Sequence, residues 1–185
     1  MPTPLQLETP RLILRLWRDT DRAPFAAMNA DPAVMTYFPA LMTPAESDAA
    51  IARYEAAYAR QGFGFLVAEH RATGAFLGII GAQTMRDVVP NLPQPAVEIG
   101  WRLTRGAQGQ GFATEGARAV VDFCFRTLKL PKVVAVTALG NLASRHVMEK
   151  LGMTYRPDLD FDHPRVPIGN PHVRHALYQL RNDTL

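Results

Sequence analysis

The apolar pattern of the chain predicts an α/β (α+β) fold, a mixed and mostly antiparallel central sheet flanked by helices. Three observations point there. A glycine-rich turn, Gln108-Gly-Gln-Gly-Phe-Ala-Thr-Glu115, follows a strand-like run and opens a helix-like one. A helix start stands at Thr43-Pro-Ala-Glu46, where a capping hydroxyl, a proline at the first helical position and a glutamate three residues after the cap coincide. Short apolar runs of strand length surround both helical stretches.

Taken in order, Arg11-Leu-Ile-Leu-Arg-Leu16 reads as a first strand. Asp19 or Thr20 can cap a helix running through Asn29, and Pro32 interrupts that pattern. The helix after Thr43 should reach about Gln61, with Gly62 beyond its end and Ile51, Tyr54, Ala57 and Tyr58 on one face. Phe63 to Glu69 and Phe76 to Met85 read as strands joined by a turn around Ala72-Thr-Gly74. Pro90, Pro93 and Pro95 make a loop before the strand Val97 to Leu103. The helix Glu115 to Leu128 places Ala117, Val120, Val121, Cys124 and Leu128 on one apolar face. Valine-rich Lys132 to Ala138 reads as a buried strand, and Ser144 to Leu151 as a short helix ended by Gly152. Met153 to Asp160 and Arg174 to Arg181 close the sheet across a proline-rich loop. The order is β-α-α-β-β-β-α-β-α-β-β, and no linker or repeat suggests a second domain within residues 1–185.

Composition narrows the function classes. A chain of 185 residues with 48% hydrophobic and 20% charged residues can bury a sizeable core as one globular domain. The net charge of +3 is spread without a basic stripe, so no nucleic-acid partner is expected. A single cysteine forms no intrachain disulfide, which suits a reducing compartment. The start of the chain lacks the charged and apolar regions of a signal peptide, and no apolar run approaches the ~20 residues that span a bilayer. The expected setting is cytoplasmic, with no membrane partner.

The turn at Gln108 to Glu115 is an anion site by construction. Glycines let backbone N–H groups converge, and the helix start behind them carries partial positive charge. Gly106 and Gly111 have the spacing of a P-loop, but Phe112-Ala113 stands where Lys-Ser/Thr would hold the terminal phosphates and magnesium. Gly109-Gln-Gly111 begins a dinucleotide fingerprint, but Thr114 takes the third glycine position and the turn lies past the middle of the chain.

The remaining pattern, Gln/Arg-x-x-Gly-x-Gly/Ala, is met by Gln108-Gly-Gln-Gly111-Phe-Ala113. It resembles the acetyl-coenzyme A pyrophosphate loop of the GNAT superfamily of N-acetyltransferases. Asn141-Leu-Ala-Ser-Arg-His-Val-Met-Glu-Lys-Leu-Gly-Met153 and Glu8-Thr-Pro-Arg-Leu-Ile-Leu-Arg-Leu16 resemble its RimJ/RimL branch, so the likeness runs from near residue 8 to the last strand.

The resemblance implies a GNAT fold and acetyl-coenzyme A as cosubstrate, without a metal. It implies that Trp101, Arg102 and Leu103 line the pantetheine arm through main-chain hydrogen bonds. Gln108, Gly109, Gln110, Gly111, Phe112, Ala113 and Thr114 would cradle the pyrophosphate. Asn141 would bond the pantetheine arm, and Ser144 would lie close to the sulfur. Glu98, which alternates out of register with Val97 and Ile99, is the candidate general base; a strand carboxylate paired with an arginine is the competing reading. Asn141 or Ser144 could equally cap the short helix. Trp17, Tyr37 and Phe38 lie where the resembling fold builds its acceptor pocket. Met148 occupies the place of a tyrosine that often protonates the thiolate.

Other reactive side chains have plainer readings. Cys124, on an apolar helix face, reads as an inert core thiol. His172 and His175 fall on opposite faces of a strand, which argues against a shared metal. Asp160, Asp162 and His163 read as a solvated loop, with contact to a cationic substrate as the alternative. The expected partner is a primary amine, a protein N-terminus or a small molecule, chosen by the loops from Asp31 to Thr43 and Asp158 to His172. The protein would act as a monomer or homodimer. A non-catalytic acyl-coenzyme A-binding module is the alternative function.

Overall fold

The computed structural model of the chain describes residues 5–85 and 89–182. Residues 1–4, the start of the stretch inspected for a signal peptide, lie outside them. Strand β1 (Leu7–Glu8) turns into β2 (Leu12–Arg15), so the expected first strand is shortened and gains an edge partner. A turn of 3-10 helix at Asp19–Asp21 leads into α1 (Arg22–Asn29). Neither Asp19 nor Thr20 caps α1: Asp21 precedes it and makes no side-chain cap. Its carboxylate is engaged elsewhere, accepting from Arg15 Nη1 at 2.8 Å and from the Arg18 N–H at 2.7 Å.

Helix α2 (Pro44–Gln61) follows its written start. Thr43 Oγ1 accepts the Glu46 N–H at 3.2 Å, Glu46 Oε2 accepts the Thr43 N–H at 2.7 Å, and Gly62 ends the helix in the left-handed region. Strands β3 (Phe65–His70), β4 (Phe76–Thr84) and β5 (Val97–Leu103) come next, then α3 (Phe112–Arg126), β6 (Lys132–Ala138) and α4 (Leu142–Lys150).

Several boundaries move by one to three residues, most tellingly at two helix starts. α3 begins at Phe112 rather than Glu115, because left-handed Gly111 is its cap; α4 begins at Leu142 rather than Ser144, because Asn141 is its cap. The closing segment Met153 to Asp160 is not one strand. It holds only β7 (Thr154–Tyr155) and, from Pro157, a 3-10 turn at Pro157–Leu159; β8 (Phe161–Asp162) follows just beyond it. Both short strands pair with β9 (Arg174–Arg181).

The sheet order is β1-β2-β3-β4-β5-β6-β9-β7, with β8 also on β9. Every pairing is antiparallel except β5 with β6, which run parallel. Alternation sends Leu12, Leu14, Ile80 and Ile99 toward α3, where Ala117, Val120, Val121 and Cys124 complete a core. The opposite face, around Ile79, meets Phe25 and Met28 of α1 and Ala50 and Ile51 of α2. A third cluster gathers Val134, Leu177, Leu159 and Phe161 at the β6–β9 end.

Close backbone approach decides one position in the middle of the sheet. A Cβ on Gly81 would lie 2.3 Å from the Gly64 carbonyl oxygen and 2.6 Å from Phe65 Cα, both backbone atoms of the facing strand region. Gly81→Ala is therefore expected to destabilise the fold by about 1–3 kcal/mol or more, read as a lowered midpoint in urea or heat. A variant as stable as the parent would show that β3 and β4 can separate locally at no cost.

Candidate active site

The parallel seam between β5 and β6 is where the sheet opens. Its register holds a single pair, Glu98 opposite Val134, and the strands part beyond it toward Leu103 and Ala138. The opening is part of a cleft of about 1010 Å³, lined on one side by Glu98 to Leu103 and on the other by Val136 to Ala138, Asn141, Ala143 and Ser144. β5 keeps full antiparallel pairing with β4. Along the cleft, its other edge offers backbone groups to whatever enters.

The glycine turn forms one end of this cleft. Gly109 and Gly111 hold φ of +73° and +83°, conformations that side chains with a Cβ rarely adopt. No protein atom lies within 4 Å of where a Cβ on Gly109 would sit, so the backbone faces open space. No side chain caps α3. The N–H groups of Phe112, Ala113 and Thr114 thus have no acceptor one turn earlier in the helix. Together with the helix dipole, this is a cradle for an anion. Gln108 and Gln110 contribute differently: their side-chain amides donate back to the carbonyls of Leu103 and Gly106 and hold the turn's shape.

A residue that sequence reasoning missed completes the turn. Arg11 Nε donates to Glu115 Oε2 at 2.7 Å, Nη1 donates to the Gln110 carbonyl at 3.0 Å, and the guanidinium lies 4.4 Å above the Phe112 ring. Its Nη2 is 3.4 Å from the position of a Cβ on Gly111, so a cation stands beside the cradle. The only trace in sequence was an acid in the first turn of a helix; its partner lies 104 residues away. Burial works to raise the Glu115 pKa, but hydrogen bonds from the Thr9 hydroxyl, the Arg11 N–H and the Arg11 guanidinium outweigh it and hold the carboxyl below its ordinary 4.5. A depressed folded-state pKa means the unfolded chain binds the proton first as pH falls. The stability Glu115 adds over Glu115→Gln is expected to be full above pH 4.5 and to shrink as pH drops below it. A difference between the two that stays constant from pH 7 to pH 3 in urea titrations would contradict this.

At the other end of the open seam, Glu98 is half-buried on the cleft wall, on the sheet face that looks toward α1 and α2. Asn141 ends the far strand as the cap of α4: its Oδ1 accepts the Ser144 N–H at 3.2 Å and its Nδ2 donates to Thr137 Oγ1 at 3.0 Å. Both its amide groups are therefore in use, and the capping reading describes its side chain. Ser144 lines the cleft one turn along. Met148 is 1% exposed and belongs to the α3-side core.

Of Trp17, Tyr37 and Phe38, the structure brings two to the cleft. The Tyr37 hydroxyl donates to the Gly140 carbonyl at 3.3 Å across the opening, and the Phe38 ring stacks on the Arg102 guanidinium at 4.1 Å. Trp17 is elsewhere. Its ring packs against Phe25 and Tyr54 and its Nε1 donates to the Phe65 carbonyl at 3.1 Å, so it serves the α1–α2 core. His163 and His175 also reach the wall, with ring centroids 4.7 Å apart, and burial pushes the His175 pKa below 6.5. Asp160 accepts from the Tyr155 hydroxyl and Asp162 from Arg174, so both are tied into the β7–β9 end. Cys124 is fully buried and its thiol is pushed up to about 12, which leaves it unreactive. Among the described residues, no three His, Cys, Asp or Glu side chains are grouped to hold a metal ion. No helix among them is long and apolar enough to cross a membrane.

The family model described as an acetyltransferase (GNAT) domain matches residues 11–154. YkkB of Bacillus subtilis is 36% identical over 156 residues, covering 81% of this chain and 86% of YkkB. An acetyltransferase from Agrobacterium tumefaciens superposes with a TM-score of 0.77 at 27% identity, covering 97% of this chain and 95% of that one. A RimL ribosomal-protein acetyltransferase shares the fold with a TM-score of 0.76 at 14% identity, covering 96% of this chain and 94% of the other. A chain with this glycine turn at the mouth of a split parallel seam, matched by that family model over most of its length, belongs to the GNAT family as an N-acetyltransferase, with the fold of the RimJ/RimL-like members.

Proposed function

We propose that the protein transfers an acetyl group from acetyl-coenzyme A to a primary amine by direct attack within a ternary complex. The observation that carries this reading is the placement of an anion cradle and a carboxylate along one opened seam. The turn Gln108 to Thr114 lies beyond one end of β5, and Glu98 lies near the other. Strand geometry of about 3.3 Å per residue makes β5 a track of roughly 20 Å, a length suited to an extended pantetheine arm.

Acetyl-coenzyme A, when bound, supplies the acetyl group as an activated thioester and leaves as the free thiol. The chain's own residues do the rest. The backbone N–H groups from Gly109 to Thr114, with Arg11 beside them, hold the pyrophosphate. The open edge of β5 at Trp101, Arg102 and Leu103 aligns the arm by main-chain hydrogen bonds, leaving the side chains free for other work. Glu98 accepts the proton that the ammonium of the acceptor must lose before its lone pair can attack. The hydroxyl of Ser144 stands on the opposite wall, where the departing sulfur needs a donor; Met148 carries none. Tyr37 and Phe38, from the loop between α1 and α2, close the acceptor side.

The acceptor class, a protein N-terminus or a small-molecule amine, follows from what that side admits. RimL, which shares the fold, is a ribosomal-protein acetyltransferase by name. Thiol release from acetyl-coenzyme A across a panel of free amines and N-terminal peptides tests the reading. Release with at least one amine supports transfer. Tight coenzyme A binding with no release on any amine would instead favour a binding module, the reading that Met148 and the committed side chain of Asn141 keep in view.

A further inference from the structure

Two arginines lie against the α1–α2 face of the sheet, Arg15 buried and Arg102 half-buried, and they are treated in opposite ways. The side chain of Arg15 is 7% exposed and meets two carboxylates, Asp21 at 2.8 Å and Glu69 at 2.7 Å. Arg102, on β5, meets none among the described residues. Its Nη1 donates to Asn29 Oδ1, and Asn29 gives its own amide to Ser47 Oγ at 3.0 Å, so that contact is a neutral strut. One face of the guanidinium lies under the Phe38 ring. Its Nε is buried without a hydrogen-bond partner, the only such side-chain atom among the described residues.

A guanidinium stays charged, and burying it uncompensated is costly. Burial draws the Arg102 pKa below its ordinary value, and Tyr54 acts weakly the other way. A structural strut would be better made by a neutral side chain or, as at Arg15, by adding carboxylates. Arg102 instead lies on the cleft wall, on the same sheet face as Glu98 and four residues from it, among Val34, Tyr37, Phe38, Tyr54 and Ile79. A positive fork set in an apolar pocket, on the sheet face that also carries Glu98, suits a planar anion on the incoming molecule.

We infer that Arg102 anchors a carboxylate of the acceptor, so that the substrate is a primary amine that also carries a carboxylate, with an apolar body, as in an amino acid. The inference rests on the N-acetyltransferase reading and adds the substrate class to it. The carboxylate oxygens accept from the guanidinium, the apolar body fills the Phe38–Tyr54 side, and the amine is left pointing along β5 toward Glu98. The main-chain role of Arg102 on the cofactor track and this side-chain role face different ways and do not compete.

The test compares leucine, methionine and phenylalanine with their amides, which keep the amine and lose the charge. Two readouts are taken: thiol release from acetyl-coenzyme A, and the protection against heat that each compound adds in the presence of coenzyme A. In the parent protein the acids are expected to exceed the amides about 10- to 100-fold in kcat/KM, the range of a charge-assisted contact. Arg102→Gln should raise KM for the acids relative to the amides by a similar factor, bringing the acid-over-amide ratio toward one. Arg102→Lys keeps the charge without the fork and should recover only part of the preference. A tripeptide amide whose sole carboxylate is an acidic side chain next to its N-terminus distinguishes a protein end from a free amino acid as the source.

The parent comparison needs no variant, so a misfolded Arg102→Gln does not blunt it. Equal use and equal protection by acids and amides would overturn the assignment. Turnover of amines without regard to the carboxylate would overturn it while leaving acetyl transfer standing. Carboxylate-dependent protection with no thiol release would support the anchor and overturn transfer.

Discussion

Gly111→Val is expected to lose the protection against heat that coenzyme A gives the parent protein. A ligand at 100 times its Kd stabilises by about 2.7 kcal/mol, and for a chain of this size each kcal/mol moves Tm by ~2–4 °C. The parent should therefore gain roughly 5–10 °C, and the variant little or none. Two effects add. The φ of +83° at Gly111 is unfavourable for a β-branched residue, and the residue's methyl groups would stand in the cradle in front of the Phe112, Ala113 and Thr114 N–H groups, next to Arg11 Nη2. Gly74→Val supplies the control. Gly74 has a similar φ of +69° with open space around it, in the turn between β3 and β4, so it pays the strain without touching the cleft. If coenzyme A still protects Gly111→Val fully, the pyrophosphate is held somewhere else.

Glu98→Gln carries the second large expected effect, a fall in kcat of about 10²- to 10⁴-fold with coenzyme A protection unchanged. The shape of the pH profile is the sharper readout. A general base works only when deprotonated, so kcat/KM of the parent should fall toward acid pH as Glu98 takes up a proton. Glutamine cannot titrate, and the variant's residual rate should lose that acid limb. An unchanged profile would remove Glu98 from the proton path and leave it as a structural carboxylate of the seam. The two variants separate the ends of the cleft: one loses binding, the other keeps binding and loses turnover.

Much of this was legible in the residues. Helix α2 was readable to the residue, because Thr43, Pro44, Glu46 and Gly62 act through bonds that span only a few positions. β5, β6 and β9 were readable because period-two alternation or a valine run records burial directly. The segment Met153 to Asp160 misled for the converse reason: its apolar residues recur like a strand, yet Pro157 divides it, and the short strands β7 and β8 survive only because β9 offers each an edge. The role of Asp21 was hidden in the same way. Nothing in the residues around it singles Asp21 out until Arg15 is seen beside it, buried and in need of a countercharge.

The glycine turn and its helix belong to the chain's local chemistry, and so does the family that the motifs around Gly111 and Asn141 mark out. Whether a residue is core or cleft is a different kind of fact. Trp17, Tyr37 and Phe38 are alike in sequence; packing sends the first into the α1–α2 core and the other two to the cleft wall. Arg15 and Arg102 are both strand arginines, and only the elements folded over them determine that one has carboxylates and the other, among the described residues, has none. Backbone preference and periodicity act over a few residues and are written there. The environment of a charge is set by atoms a hundred residues off, and it exists only once the sheet has closed around it.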